Sequence, residues 1–79
     1  MTSENTSALR RVWSQADLQE AQEHVHIAED AIATQRRKIE TIKESTPEAD
    51  QARKVVATME RMRRELIRHR DRIAELVHA

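Results

Sequence analysis

The segment Glu44-Ser45-Thr46-Pro47-Glu48 decides the architecture of this chain, because it interrupts two long runs of the same periodicity. Proline has no N–H to give to a helix interior and pushes its predecessor out of helical geometry, so a helix arriving from the N-terminal side ends before Pro47. The same residue suits the first position of a new helix, with Thr46 as the capping hydroxyl and Glu48 as a carboxylate in the first turn. Upstream, Leu18, Ala21, Val25, Ala28, Ile32, Gln35, Ile39 and Ile42 recur at alternating steps of three and four, a heptad seam with one polar member. Downstream, Ala52, Val55, Met59, Met62, Leu66, His69, Ile73 and Leu76 repeat the pattern, and Val56, Ile67 and Val77 widen the apolar face.

The spacing predicts a helix over 14–44, a turn at 45–46 and a helix over 47–77, with Ser14 and Asp17 forming the capping arrangement of the first. Two helices of similar length joined by a few residues lie antiparallel, giving an all-α coiled-coil hairpin roughly 45 Å long. A turn near Ser45 and Thr46 makes partner numbers sum to about 91, which sets Ile39 beside Ala52, Ile32 beside Met59, Val25 beside Leu66 and Leu18 beside Ile73. Charge favours the same orientation. Residues 14–34 carry five acids and no Lys or Arg, whereas residues 57–77 carry six arginines against four acids.

Composition narrows the function classes. The 79 residues contain no Gly and no Cys, 35% are charged, and Trp13 is the only aromatic. Without Gly there is no dinucleotide fingerprint, Walker loop, nucleophile elbow or EF-hand, since each needs a backbone that only Gly tolerates. Without Cys there are no disulfides, thiolate zinc sites or thiol nucleophiles, and the expected compartment is the cytoplasm. No apolar run reaches the roughly 20 residues of a membrane helix, and the first ten residues lack the apolar core of a secretory signal, so no membrane role is expected. Equal numbers of acidic and basic residues argue against a general polyanion binder. A chain this short, folded as two helices, buries too little apolar surface to be secure alone. A homo-oligomer, in the first place a homodimeric four-helix bundle, is the expected solution, with another helical protein as the other possible partner.

Residues 1–13 read as a flexible or partly helical N-terminal segment, polar up to Ser7 and then carrying Leu9, Val12 and Trp13 at helical spacing. Trp13 has two readings: an aromatic anchor for a partner, or a cap on the open end of the hairpin near Leu76 and Val77. Ile27, Ala31 and Thr34 lie off the first seam, and with Val56 and Ile67 they leave apolar area that a lone hairpin does not cover. The expected interaction residues are therefore Trp13, Ile27, Ala31, Val56 and Ile67. Gln35 and His69 are the polar members of the two seams, positions where a polar side chain fixes register.

The same residues bear on other chemistries. His24 and His26 are two apart and point about 200° from each other on a helix, so they do not chelate together; His24 with His69 across the helices is the remaining metal arrangement, without further ligands. The same two histidines suggest a switch on acidification. Arg53, Lys54, Arg61, Arg64 and Arg68 form a candidate phosphate-contacting stripe, interrupted by Glu60, Glu65 and Asp71 and with no aromatic residue to stack on bases. Nucleic-acid binding is thus the alternative to protein interaction. No nucleophile, base and acid set lies in an apolar pocket, so no enzyme activity and no cofactor are expected.

The stretch Leu18 to Ile39 (L-Q-E-A-Q-E-H-V-H-I-A-E-D-A-I-A-T-Q-R-R-K-I), notably His24-Val25, Ala28-Glu29, Ile32, Gln35-Arg36 and Ile39, together with His69 to Leu76 (H-R-D-R-I-A-E-L), resembles a group of small uncharacterised helical-hairpin proteins of rhizobia and related alphaproteobacteria. The likeness covers under half the chain. It implies a bacterial, cytoplasmic, hairpin-forming protein and brings no activity or functional residues with it.

Overall fold

The computed structural model of the protein describes residues 12–78, which form two antiparallel helices, α1 (Gln15–Glu40) and α2 (Pro47–Val77), packed along their length. Among the described residues there is no strand, and the architecture is the expected all-α helical hairpin. The predicted N-terminal segment falls largely outside the described residues, as does Leu9; Val12 and Trp13 precede α1 without joining it.

α1 opens on a reciprocal cap. The Asp17 backbone N–H donates to Ser14 Oγ at 3.3 Å, while the Ser14 backbone N–H donates to Asp17 Oδ2 at 2.8 Å, so two N–H groups that the helix leaves without a partner are satisfied. α2 opens as the Thr46-Pro47 pair predicts, with Thr46 Oγ1 accepting from the Ala49 N–H at 3.1 Å and Pro47 in the first turn, where its missing N–H costs nothing.

α1 ends at Glu40, not at Glu44, and the connection spans residues 41–46 instead of 45–46. The cause is local. The Lys38 carbonyl, which Ile42 would take in a continuing helix, accepts instead from both the Thr41 N–H (3.1 Å) and the Thr41 hydroxyl (2.7 Å), and the Ile42 N–H tightens onto Ile39 (3.0 Å). Ser45 then adopts a left-handed conformation (φ 64°) that reverses the chain, and Thr46 Oγ1 donates to the Lys43 carbonyl at 2.9 Å to close the turn.

The first seam is where its period places it: Leu18, Ala21, Val25 and Ile32 are buried and Ala28, Gln35, Ile39 and Ile42 half-buried. The second seam differs from expectation. Ala49, Val56 and Ile73 are buried and Ala52, Met59 and Leu66 half-buried, but Met62, His69 and Leu76 stand exposed. The positions facing α1 run 49, 52, 56, 59, 63, 66, 70, 73 and 77, again in steps of three and four, so α2 is turned by about 50° from the predicted face at 100° per residue. Arg63 and Arg70 therefore occupy seam positions, each half-buried, with the aliphatic stem along the apolar stripe and the guanidinium directed to a carboxylate.

Near the open end Leu18, Ala21 and Ile73 form a core cluster against which Trp13, Ala74 and Val77 pack. Leu18 meets Ile73 there, the pair that the register sum specifies.

Candidate interaction surface

Rotating α2 by half a residue step gives the hairpin two dissimilar flanks. On one, Glu29 and Arg36 of α1 and Glu60, Arg63 and Arg64 of α2 line a shallow groove over Ile32 and Ala33. Arg63 donates to Glu29 Oε2 from Nε (3.2 Å) and Nη2 (3.0 Å), and Arg36 pairs with Glu60. These pairs cross between the helices and hold the polar side of the seam. All four side chains remain about a third or more exposed, so their contribution is small and sensitive to salt.

The other flank is apolar. Ile27, Ala28 and Ala31 of α1 face Met59, Met62 and Leu66 of α2 across a groove whose single polar neighbour is His24. Ile27 is 64% exposed and Met62 59%, so two large apolar side chains stand in water at opposite lips of one groove. Lone exposed apolar residues are ordinary; a continuous apolar channel between two helices is not. Toward the turn the flank continues into a smaller depression formed by Val55, Thr58 and Met59 with the stems of Gln51 and Lys54. Toward the open end it continues into a groove of mixed character, where Glu20, His24 and His69 stand beside Trp13, Ala21 and Ile73.

Of the expected interaction residues, the structure brings Ile27 and Ala31 together in the apolar groove. Val56 is buried in the hairpin seam and cannot be an external contact, because the turn of α2 that removes Met62 from the seam brings Val56 into it. Ile67 is half-buried and does not line the groove. Trp13 closes the open end over the Leu18 cluster and meets His69 edge-to-face, with ring centroids 6.1 Å apart. His69 is exposed, so the polar seam position assigned to it is not one; Gln35 is half-buried on its seam. Among the groove residues, the one that the sequence reading placed in the seam and the structure turns out to the flank is Met62; Met59 and Leu66 stay half-buried on the seam and also line the groove. The signal lies in Ala49, Val56 and Val77, which are separated by multiples of seven, but the stripe that joins them passes through Arg63 and Arg70 and is masked by those charges.

His24 and His69 do line one groove, with Glu20 and Asp17 nearby. His24 Nε2 lies 4.0 Å from Glu20 Oε1 within α1. Among the described residues no three His, Asp or Glu side chains come together as a metal-binding group. Two of the five members of the basic stripe are engaged within α2, Arg53 with Asp50 and Arg68 with Glu65, while for Lys54, Arg61 and Arg64 the described residues provide no ion pair. No helix among the described residues is long and apolar enough to cross a membrane. No protein-family model matches the chain, and no curated protein or solved structure is significantly similar to it.

Proposed function

We propose that the protein is a non-enzymatic interaction module of the cytoplasm, a small coiled-coil adaptor or regulator that works by packing its apolar flank against another helical surface, in the first place its own. The observation that carries this reading is the groove between Ile27 and Met62. Fully covering one such side chain is worth about 1.5–3 kcal/mol, and a hairpin of this size has few other large apolar groups to bring to an interface. Packing a second pair of helices there converts the hairpin into a four-helix bundle, the usual way in which two-helix units complete a core.

Nucleic-acid binding through α2 is the competing reading, supported by the outward arginines Arg61 and Arg64, for which the described residues provide no ion pair. The two separate by salt dependence, since phosphate contacts weaken steeply with added salt and apolar packing does not. Sedimentation equilibrium should show association that persists at high salt and disappears in the Ile27→Asp, Met62→Asp variant. Binding of a labelled duplex at low salt, lost on adding salt and in Arg61→Ala, Arg64→Ala, would overturn the interaction reading.

A further inference from the structure

We propose that the occupant of the apolar groove is a second copy of this chain, laid antiparallel on the first about a two-fold axis at the level of Met62. This rests on the interaction-module reading and adds the orientation of the two copies and the residues that meet.

The position of the patch is the first argument. Met62 is the middle residue of Pro47–Val77, and Ile27 is one of the two middle residues of Gln15–Glu40. An isologous interface is self-complementary: whatever residue i contacts on the partner must in turn contact i. A patch centred on both helices meets that condition with the two hairpins overlapping from end to end. A patch near one end would leave half of each hairpin overhanging.

Charge then selects the direction. The side of α1 that faces this flank runs Glu20, His24, Ile27, Ala31 and Lys38, residues separated by helical steps of three, four or seven. It is acidic toward the open end and basic toward the turn. The ion pair between Glu29 and Arg63 shows that residue 29 of α1 stands level with residue 63 of α2, so an axis through Met62 crosses α1 near residue 29. Antiparallel copies then bring Ile27 over Ala31 of the other copy and Glu20 opposite Lys38, twice by symmetry. Parallel copies, related by an axis along the helices, would lay α1 over the partner's α2 instead and would form neither of these pairs. At the axis Met62 meets Met62, an unbranched and polarizable pair suited to filling the space between four helices.

The absence of cysteine makes the geometry testable in the full chain one thiol at a time. Under mild oxidation Met62→Cys should form a disulfide-linked dimer, roughly tenfold or more faster than Arg64→Cys on the opposite flank, because association raises the effective concentration of one thiol near the other. Glu20→Cys alone and Lys38→Cys alone should stay uncoupled, while an equimolar mixture of the two should give the mixed dimer. Self-coupling of Glu20→Cys, or a Met62→Cys that couples no faster than Arg64→Cys, would overturn the arrangement. Sedimentation of the unmodified chain separates the two-fold geometry from the interaction module. An associated chain without this coupling pattern removes the two-fold geometry and leaves the module. A monomeric chain removes the second copy as occupant, whereas the module reading falls only on the salt-dependent duplex binding described above.

Discussion

The two flanks of this hairpin are built from the same pair of helices at the same height, yet they solve the edge of the seam in opposite ways. Where Glu29 and Arg36 face Arg63 and Glu60, the edge is closed by carboxylates and guanidinium groups that reach across and remain wet. Where Ile27 faces Met62, nothing within the hairpin reaches across, and the edge stays open and apolar. A half-step rotation of one helix decides which is which. It turns Arg63 inward to Glu29 and Met62 outward, so the ion-paired flank and the apolar flank are two results of one packing choice.

Mutations should separate the seam that the flanks share from the flanks themselves. The largest effect belongs to the seam: Ile73→Ala, at a residue 2% exposed, is expected to cost about 2–4 kcal/mol and lower Tm by well over 10 °C in thermal unfolding followed by circular dichroism. If it costs no more than a flank substitution, the distinction between seam and flank is wrong. Next comes the apolar flank, where Ile27→Asp should leave the Tm of a dilute sample nearly unchanged but abolish the rise of Tm with protein concentration that an associating chain shows. A smaller effect is expected opposite: a double-mutant cycle on Glu29→Gln and Arg63→Met should give a coupling below about 1 kcal/mol that shrinks in high salt. The smallest tests neither flank and serves as a reference. Ser45→Gly, replacing a side chain held at positive φ, should raise stability by a few tenths of a kcal/mol in denaturant titrations without altering association.

Much of this was legible in the chain, and the failures share a cause. Pro47 with Thr46, and Ser14 with Asp17, act through bonds to residues three positions away, so the helix starts follow from local spacing alone. The first seam was equally plain because its apolar positions have no rival stripe. In the second helix two stripes share Ala52, Met59, Leu66 and Ile73 and differ only in the intervening step. A rule that prefers apolar residues chooses Met62 over Arg63 and His69 over Arg70. The folded molecule chooses the arginines, since their long stems cover the seam while their heads find Glu29 and Asp71. For Arg63 that exchange depends on a residue 34 positions away, which no local period contains, whereas Arg70 finds its carboxylate on the adjacent residue. The end of α1 was missed for a different reason, the competition of the Thr41 hydroxyl for the Lys38 carbonyl.

The cluster of Leu18, Ala21 and Ile73 under Trp13 has a consequence for how the hairpin closes. Helix pairs joined by a short turn zip from that turn, and each contact farther out closes a longer loop of chain. Leu18 and Ile73 close one of the longest loops among the described residues, although loop entropy grows only with the logarithm of length, by about 0.6 kcal/mol per doubling. Placing the densest apolar contacts where closure comes last makes the far end a latch. Amides beside Leu18 and Ile73 should therefore exchange with solvent through the opening of the whole hairpin and not by fraying from its end.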